Sequence, residues 1–153
     1  MKLNVQIINP ITYSGWDDLL ISCPGYSFFH TSTWSRVLSE SYGYKSTYFT
    51  AFDNGKISYL IPMMEIDSLF TGKRGVSLPF TDYCDPVQNG NVQFDHQLNE
   101  IISYGKKNNW KYLELRRRES LFPSTPPSIT YIGHILNLSN KEDKIFSSFK
   151  DIF

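Results

Sequence analysis

The sequence is short of most side chains on which easily recognised chemistry is built. It has two cysteines, Cys23 and Cys84, far apart, with no CxxC spacing and no His/Cys cluster. That excludes the common zinc frameworks and reads as two free thiols in a reducing compartment. Its three histidines, His30, His96 and His134, are scattered, so no Ser/His/Asp set is implied. Neither sign of charge dominates: fifteen cations face fifteen anions, and the net charge is zero. No global field then draws the chain to nucleic acid or anionic lipid, DNA is not an expected partner, and any polyanion site must be local. Long apolar runs are missing too. Nothing approaches the ~18 residues of a membrane span, and the opening "MKLNVQIINP" has no apolar core of a secretory signal. The expectation is a cytoplasmic chain without a transmembrane segment. Internal repeats and low-complexity linkers are also lacking, so residues 1–153 are read as one domain.

What is present is enough for a real core: 153 residues, 41% apolar and 20% charged, with an aromatic share of 16%. So many rings mean either an aromatic-rich core or a tyrosine-lined groove. "KLNVQIIN" alternates as a strand with one buried face, and Pro10 ends it. Thr12 or Ser14 caps a short helix carrying Trp16, Leu19 and Leu20, which Pro24-Gly25 stops. "HTSTWSRVLSESYGY" follows as a second helix, capped by Thr31 or Ser32, with Trp34, Val37 and Leu38 as its buried stripe and Gly43 as its terminator. Asp53-Asn54-Gly55 joins "STYFTAF" to "KISYLIPMMEI" as a tight hairpin. Further on come an amphipathic helix from about Val92, with Phe94, Leu98, Ile101 and Ile102 inward, the strand "KYLELR", a proline-rich loop, the strand "TYIGHILNL" and a last helix. The order β-α-α-β-β-β-α-β-β-α predicts an α/β (α+β) fold, a mixed and largely antiparallel sheet with helices packed on it. The last helix shows no terminator at Ile152 and Phe153, so a longer protein is expected.

The segment "GKRGVSLPFTDYCDPV" carries the densest chemistry. Lys73 and Arg74 precede a short apolar centre, and Asp82, Tyr83 and Asp85 follow it. If Val76, Leu78 and Phe80 lock that centre to the core, Pro79 places it at a sheet edge or break, and the polar ends become the rim of a cleft. The cations would then meet a phosphate, while one carboxylate holds a sugar hydroxyl or an amine. The alternative is a hairpin tip with solvated cations and ordinary Asp capping. Arg116, Arg117 and Arg118 end a strand. Alternation separates Arg117 from the other two, so either the run is solvated or Arg116 or Arg118 reaches the cleft. Trp34 reads as core, with stacking on a ligand as the other option.

"FFHTSTWSRVLSESYGY", "AFDNGKISYLIPMMEIDSLFTGKRGVSLPFTDYCDP" and "WKYLELR" together resemble the amino-terminal half of the FemAB family. These acyltransferases are built from two domains similar to the GNAT (N-acetyltransferase) fold. The resemblance runs from about Trp16 to Phe149. It implies a single GNAT-like domain that provides the acceptor groove, with a second GNAT-like domain of the same chain presenting the donor, an acyl-CoA or an aminoacyl-tRNA. In the peptidoglycan-bridge members the acceptor is a cell-wall precursor, and other members are tied to exopolysaccharide systems. Trp34-Ser35-Arg36 looks like the family's Trp-x-Lys segment, which makes Arg36 the implied diphosphate ligand, its planar fork suited to phosphate oxygens. The family's acidic loop residue falls on Asp82 or Asp85, with Tyr83 beside them.

The sequence departs from the standard acetyltransferases in lacking the Gln/Arg-x-x-Gly-x-Gly/Ala loop that holds coenzyme A pyrophosphate. No catalytic base is evident. The chain is therefore expected to bind a phosphorylated sugar or cell-wall precursor, no cofactor and no metal, and to be catalytically silent alone. The competing expectation is a non-catalytic GNAT-like module that binds a partner protein or glycan in surface-polysaccharide assembly and shows an exposed apolar face.

Overall fold

The structure is a computed structural model and describes residues 4–89, 94–117, 126–133, 138 and 141–148. Its strands are β1 (Val5–Ile8), β2 (Lys45–Ser46), β3 (Tyr48–Asp53), β4 (Lys56–Ile61), β5 (Met64–Ile66), β6 (Arg74–Val76), β7 (Val87–Gln88) and β8 (Tyr112–Glu114). The helices are α1 (Trp16–Ile21), α2 (Ser32–Tyr42), α3 (Phe94–Lys107) and α4 (Glu142–Ser148), with a 3-10 turn at Phe28–His30.

One bent hairpin is the spine. Asn54 and Gly55 both take positive φ, 48° and 75°, the geometry of a type I′ turn and the reason for Asn-Gly there. The arms then pair in one register from Ala51↔Tyr59 through Phe49↔Ile61 to Ser46↔Met64 and Lys45↔Glu65. The ladder is interrupted at Pro62, which has no N–H to donate, and resumes with the Thr47 N–H donating to Met63 O at 2.9 Å. The spine thereby belongs to two four-stranded sheets, β1-β3-β4-β7 and β2-β5-β6-β8. Every pairing is antiparallel except β6 with β8.

Both faces of the spine are covered. Tyr48, Ile57, Leu60 and Met64 pack with Trp16 and Leu20 of α1 and Leu38 of α2, while Phe49, Ala51, Tyr59, Ile61 and Met63 pack with Ile101 of α3. The register shift after Ala51 leaves Ser58 as an extra residue, and that bulge puts Ile57 and Tyr59 on opposite faces despite their even spacing. Trp110 closes the α3 side. Its Nε1 donates to Glu65 at 2.6 Å, and its ring lies so close to β6 that a Cβ on Gly75 would sit 2.1 Å from it.

Several local expectations change. The α1 N-cap is Gly15 at φ 73°, not Thr12 or Ser14, because the turn at residues 9–13 is already closed by Asn9. Thr31 does cap α2, its Oγ1 accepting from Trp34 N at 3.3 Å, and Gly43 ends that helix in the left-handed region. The buried stripe is Ser35 and Leu38, while Val37 is exposed. Of the strand expected over residues 130–138, residues 130–133 form none and are exposed, and residues 134–137 lie outside the described residues. The proline-rich loop, Arg118, His134 and the chain beyond Ser148 lie largely or wholly outside them as well.

Candidate functional site: an excursion from the central sheet

β6 pairs with β5 and β7 pairs with β4, so residues 74–88 follow one partner strand. Between Val76↔Met64 and Leu60↔Val87 that partner has three residues, 61–63, whereas this strand has ten, 77–86. Seven residues are therefore looped out between β6 of one sheet and β7, the edge strand of the other. Pro79 explains part of the departure, since it cannot contribute a ladder hydrogen bond. The backbone records the rest: Leu78 and Phe80, on either side of Pro79, take φ of 45° and 65°. Left-handed backbone at two non-glycine residues costs of order 1 kcal/mol each and persists only where the surroundings enforce it.

Those surroundings are explicit. Leu78 and Cys84 are buried in the α1/α2 core and anchor both limbs. On one side the chain after β8 is laced to the excursion. Ser77 N donates to Glu114 O at 2.9 Å, Arg116 N to Ser77 Oγ at 2.7 Å and Cys84 N to Arg116 O at 3.0 Å. The Arg116 guanidinium donates to Thr81 O at 3.0 Å and to Glu114 at 2.6 Å. Arg117 pairs with Asp85 at 3.4 Å. On the other side His30, 2% exposed, lies 2.9 Å from Asp85 O and 3.5 Å from Cys84 Sγ. Ser27 N donates to His30 Nδ1 at 3.1 Å, which fixes the proton on Nε2 as the donor to Asp85 O. At the top, Phe80 stacks on Tyr42, the last residue of α2, at 4.6 Å.

Electrostatics make this a strap and not a nucleophile. Burial lowers the His30 pKa, against the smaller opposing effects of the Asp85 and Ser27 hydrogen bonds and the Asp85 charge. Burial pushes the Cys84 thiol far up, and the neighbouring Asp85 adds to it. A neutral imidazole beside a protonated thiol has none of the character of a catalytic Cys–His pair. Cys23 is likewise buried and free, its thiol raised by burial against a hydrogen bond from Ser22.

The side chains singled out from the sequence fall into three places. Asp82 and Tyr83 are exposed at the outer part of the excursion, and Asp85 sits at its foot against Arg117. Arg36 is exposed on α2, which meets the excursion through Tyr42. Trp34 is half-buried against Phe28 and Phe29, 5.8 and 5.4 Å away, and its inaccessible Nε1 has no acceptor among the described residues. Arg116 is tied to the excursion as above. Lys73 and Arg74 are at the opposite end of β6, about 10–13 Å of extended chain before Ser77, where the departure begins. There Lys73 lies 3.8 Å from Asp67, and Arg74 donates to Thr71 at 2.5 Å with its guanidinium 5.9 Å from the Tyr112 ring. The structure thus brings Asp82, Tyr83, Asp85 and Arg116 together, sets Arg36 and Trp34 on the adjoining helix, and keeps Lys73 and Arg74 apart from them.

Three participants had no role assigned from sequence: His30, Phe80 as an exposed ring, and Tyr42. Ser27-x-x-His30 ahead of the Thr31 cap was the available signal, since a histidine three residues after a serine can close a turn upon itself. Nothing local announces its partner Asp85.

No three His, Cys, Asp or Glu side chains gather as a metal site among the described residues. Beyond the carboxyl ends of the parallel pair β6 and β8, Ser77 and Cys84 are hydrogen-bonded to residues 114–116. Two surface depressions lie elsewhere, one by the hairpin turn at Asp53 and Asn54, the other between β1 and α3. No helix among the described residues is long and apolar enough to cross a membrane.

No family model matches the sequence, and neither does any curated protein. Among solved structures the chain is similar to the ribosomal-protein-alanine N-acetyltransferase of Brucella melitensis biovar Abortus 2308. The two are 10% identical, with a TM-score of 0.54 over 89% of this chain and 99% of that one. The likeness, with the topology above, shows a GNAT-like fold: a mixed, largely antiparallel sheet with helices packed on it.

Proposed function

We propose that this domain is the acceptor-binding half of an FemAB-like N-acyltransferase or aminoacyltransferase acting on an amine of a cell-wall or polysaccharide-related substrate. The observation that carries the reading is the excursion itself: seven extra residues looped out between β6 and β7, strained at Leu78 and Phe80, and fastened on three sides. A loop held this firmly orients side chains at little further entropic cost on binding. It presents Asp82 and Tyr83 to solvent, with the Arg36 guanidinium on the neighbouring helix.

Acyl transfer to an amine requires alignment of acceptor and donor and removal of a proton from the acceptor nitrogen. In this reading Asp82 holds the acceptor's ammonium or a sugar hydroxyl, Tyr83 packs against its ring, and Arg36 takes its diphosphate. Arg116 and His30 act as positioning residues. The acyl-CoA or aminoacyl-tRNA donor belongs to a second GNAT-like domain, so this chain alone binds and does not turn over. Calorimetric titration with a nucleotide-diphosphate sugar tests it. The reading expects saturable binding that Arg36→Ala weakens by about tenfold or more. Binding identical in the two proteins would take Arg36 out of the site.

A second reading, a non-catalytic module for a partner protein or glycan, is supported by exposed Phe28 on the 3-10 turn, Val37 and Tyr42 on α2 and Phe80 on the excursion. It predicts no donor binding even in a longer chain carrying the second domain.

A further inference from the structure

β5 and β6 are joined by residues 67–73, a loop closed on itself by Gly72 N donating to Ser68 O at 2.7 Å, with Gly72 at φ 76°. At its apex stand Leu69 and Phe70, 103% and 96% exposed, the two most exposed large apolar side chains among the described residues. Single exposed apolar residues are ordinary. Two adjacent ones at full exposure on a convex tip are not, because each gives up the transfer free energy that any contact with the body of the protein would recover.

The base of the tip is cationic. Lys73 leads into β6, and its backbone O accepts from Lys111 N at 2.8 Å, which sets Lys111 beside it. The Lys111 side chain lies along the loop: a Cβ on Gly72 would be 2.8 Å from its Nζ. Arg74 follows, its guanidinium 5.9 Å from the half-exposed Tyr112 ring. Asp67 lies 3.8 Å from Lys73, and Glu65, the carboxylate before it on β5, is buried and already held by Lys45 and Trp110. On a chain of zero net charge the three cations form a local positive collar.

We infer that this loop is a membrane-contacting wedge, Leu69 and Phe70 entering an anionic phospholipid surface while Lys73, Arg74 and Lys111 meet its headgroup phosphates at the collar. Shape and charge choose that occupant. A convex two-residue apex offers too little area for a stable protein interface but suits insertion at the boundary of headgroups and acyl chains. A cationic collar with an adjoining tyrosine matches the charge and the amphipathic character of that boundary. The inference goes beyond the acceptor-binding reading and does not rest on it, since the wedge and the excursion lie at opposite ends of β6.

The test is co-sedimentation of the 153-residue chain with vesicles of phosphatidylcholine alone or mixed with phosphatidylglycerol. The chain should pellet with the mixed vesicles, and far less with the neutral ones. Leu69→Ser with Phe70→Ser should lower partitioning by about tenfold or more, and Lys73→Gln or Lys111→Gln by roughly fivefold each. Thermal melts matching wild type would show that all variants stay folded. The inference is overturned if wild type remains in the supernatant, if the double serine variant pellets as wild type does, or if neutral and anionic vesicles bind equally. Gel filtration in which the serine variant converts a dimer to a monomer, without any vesicle effect, would make the tip a self-association contact and also overturn it.

Discussion

The loop before β6 and the loop after it leave the same three-residue strand and are built on opposite plans. Residues 67–73 close on themselves and hold their largest side chains wholly in solvent. Residues 77–86 bury Leu78 and Cys84, take bonds from Arg116, Arg117 and His30, and are held in strained backbone. Few buried contacts mean cheap local opening, and many mean opening only at a cost near that of global unfolding. The first plan suits adhesion to a surface that needs no exact geometry. The second suits recognition, where an ångström of misplacement is felt.

The comparison breaks hardest at the strand both loops share. Gly75→Ala forces a Cβ into the Trp110 ring and should cost about 2–3 kcal/mol by overpacking, loosening both loops together in a denaturant melt. Arg116→Ala removes the bond to Thr81 O and leaves that carbonyl unpaired; about 2 kcal/mol is expected, with faster hydrogen exchange confined to the excursion. Uniform exchange across the sheet would mean that the guanidinium serves the whole fold.

The His30 strap adds a pH dependence. Its folded pKa lies below the ordinary value near 6.5, so between the two the unfolded chain binds a proton that the native chain does not. The stability this histidine contributes is complete above about pH 6.5 and is lost as pH falls toward the folded value. His30→Gln should flatten that part of a stability–pH curve, and an unchanged curve would assign the dependence elsewhere. The smallest effects on stability belong to the tips. Asp82→Asn and Leu69→Ser should both stay within about 0.5 kcal/mol of wild type in the same melts. Only Asp82→Asn should also abolish binding of a nucleotide-diphosphate sugar.

Much of the fold was legible because it is encoded locally. Asn54-Gly55 dictates its turn, Thr31 and Gly43 bound α2, and the strand-like runs on either side of the turn read as a hairpin. Val37 departs from the expected stripe because it lies about 100° around the helix from Leu38 and about 160° from Ser35, and which stripe is buried is decided by the sheet beneath. The site was legible in part. Asp82, Tyr83 and Asp85 stood out by type, and Pro79 announced a break in the ladder. That Lys73 and Arg74 sit apart from them follows from the direction of β6. That His30 lies under Asp85 follows from the packing of the 3-10 turn against the excursion. Neither is written in spacing or composition.

The most direct test of the central claim, that the excursion is a prebuilt acceptor-binding element, is residue-resolved amide mapping by NMR during titration with a nucleotide-diphosphate sugar. Saturable shifts are expected at residues 81–85 and around Arg36, with residues 68–74 unmoved. Shifts centred on residues 68–74, or binding that leaves the excursion silent, would contradict it.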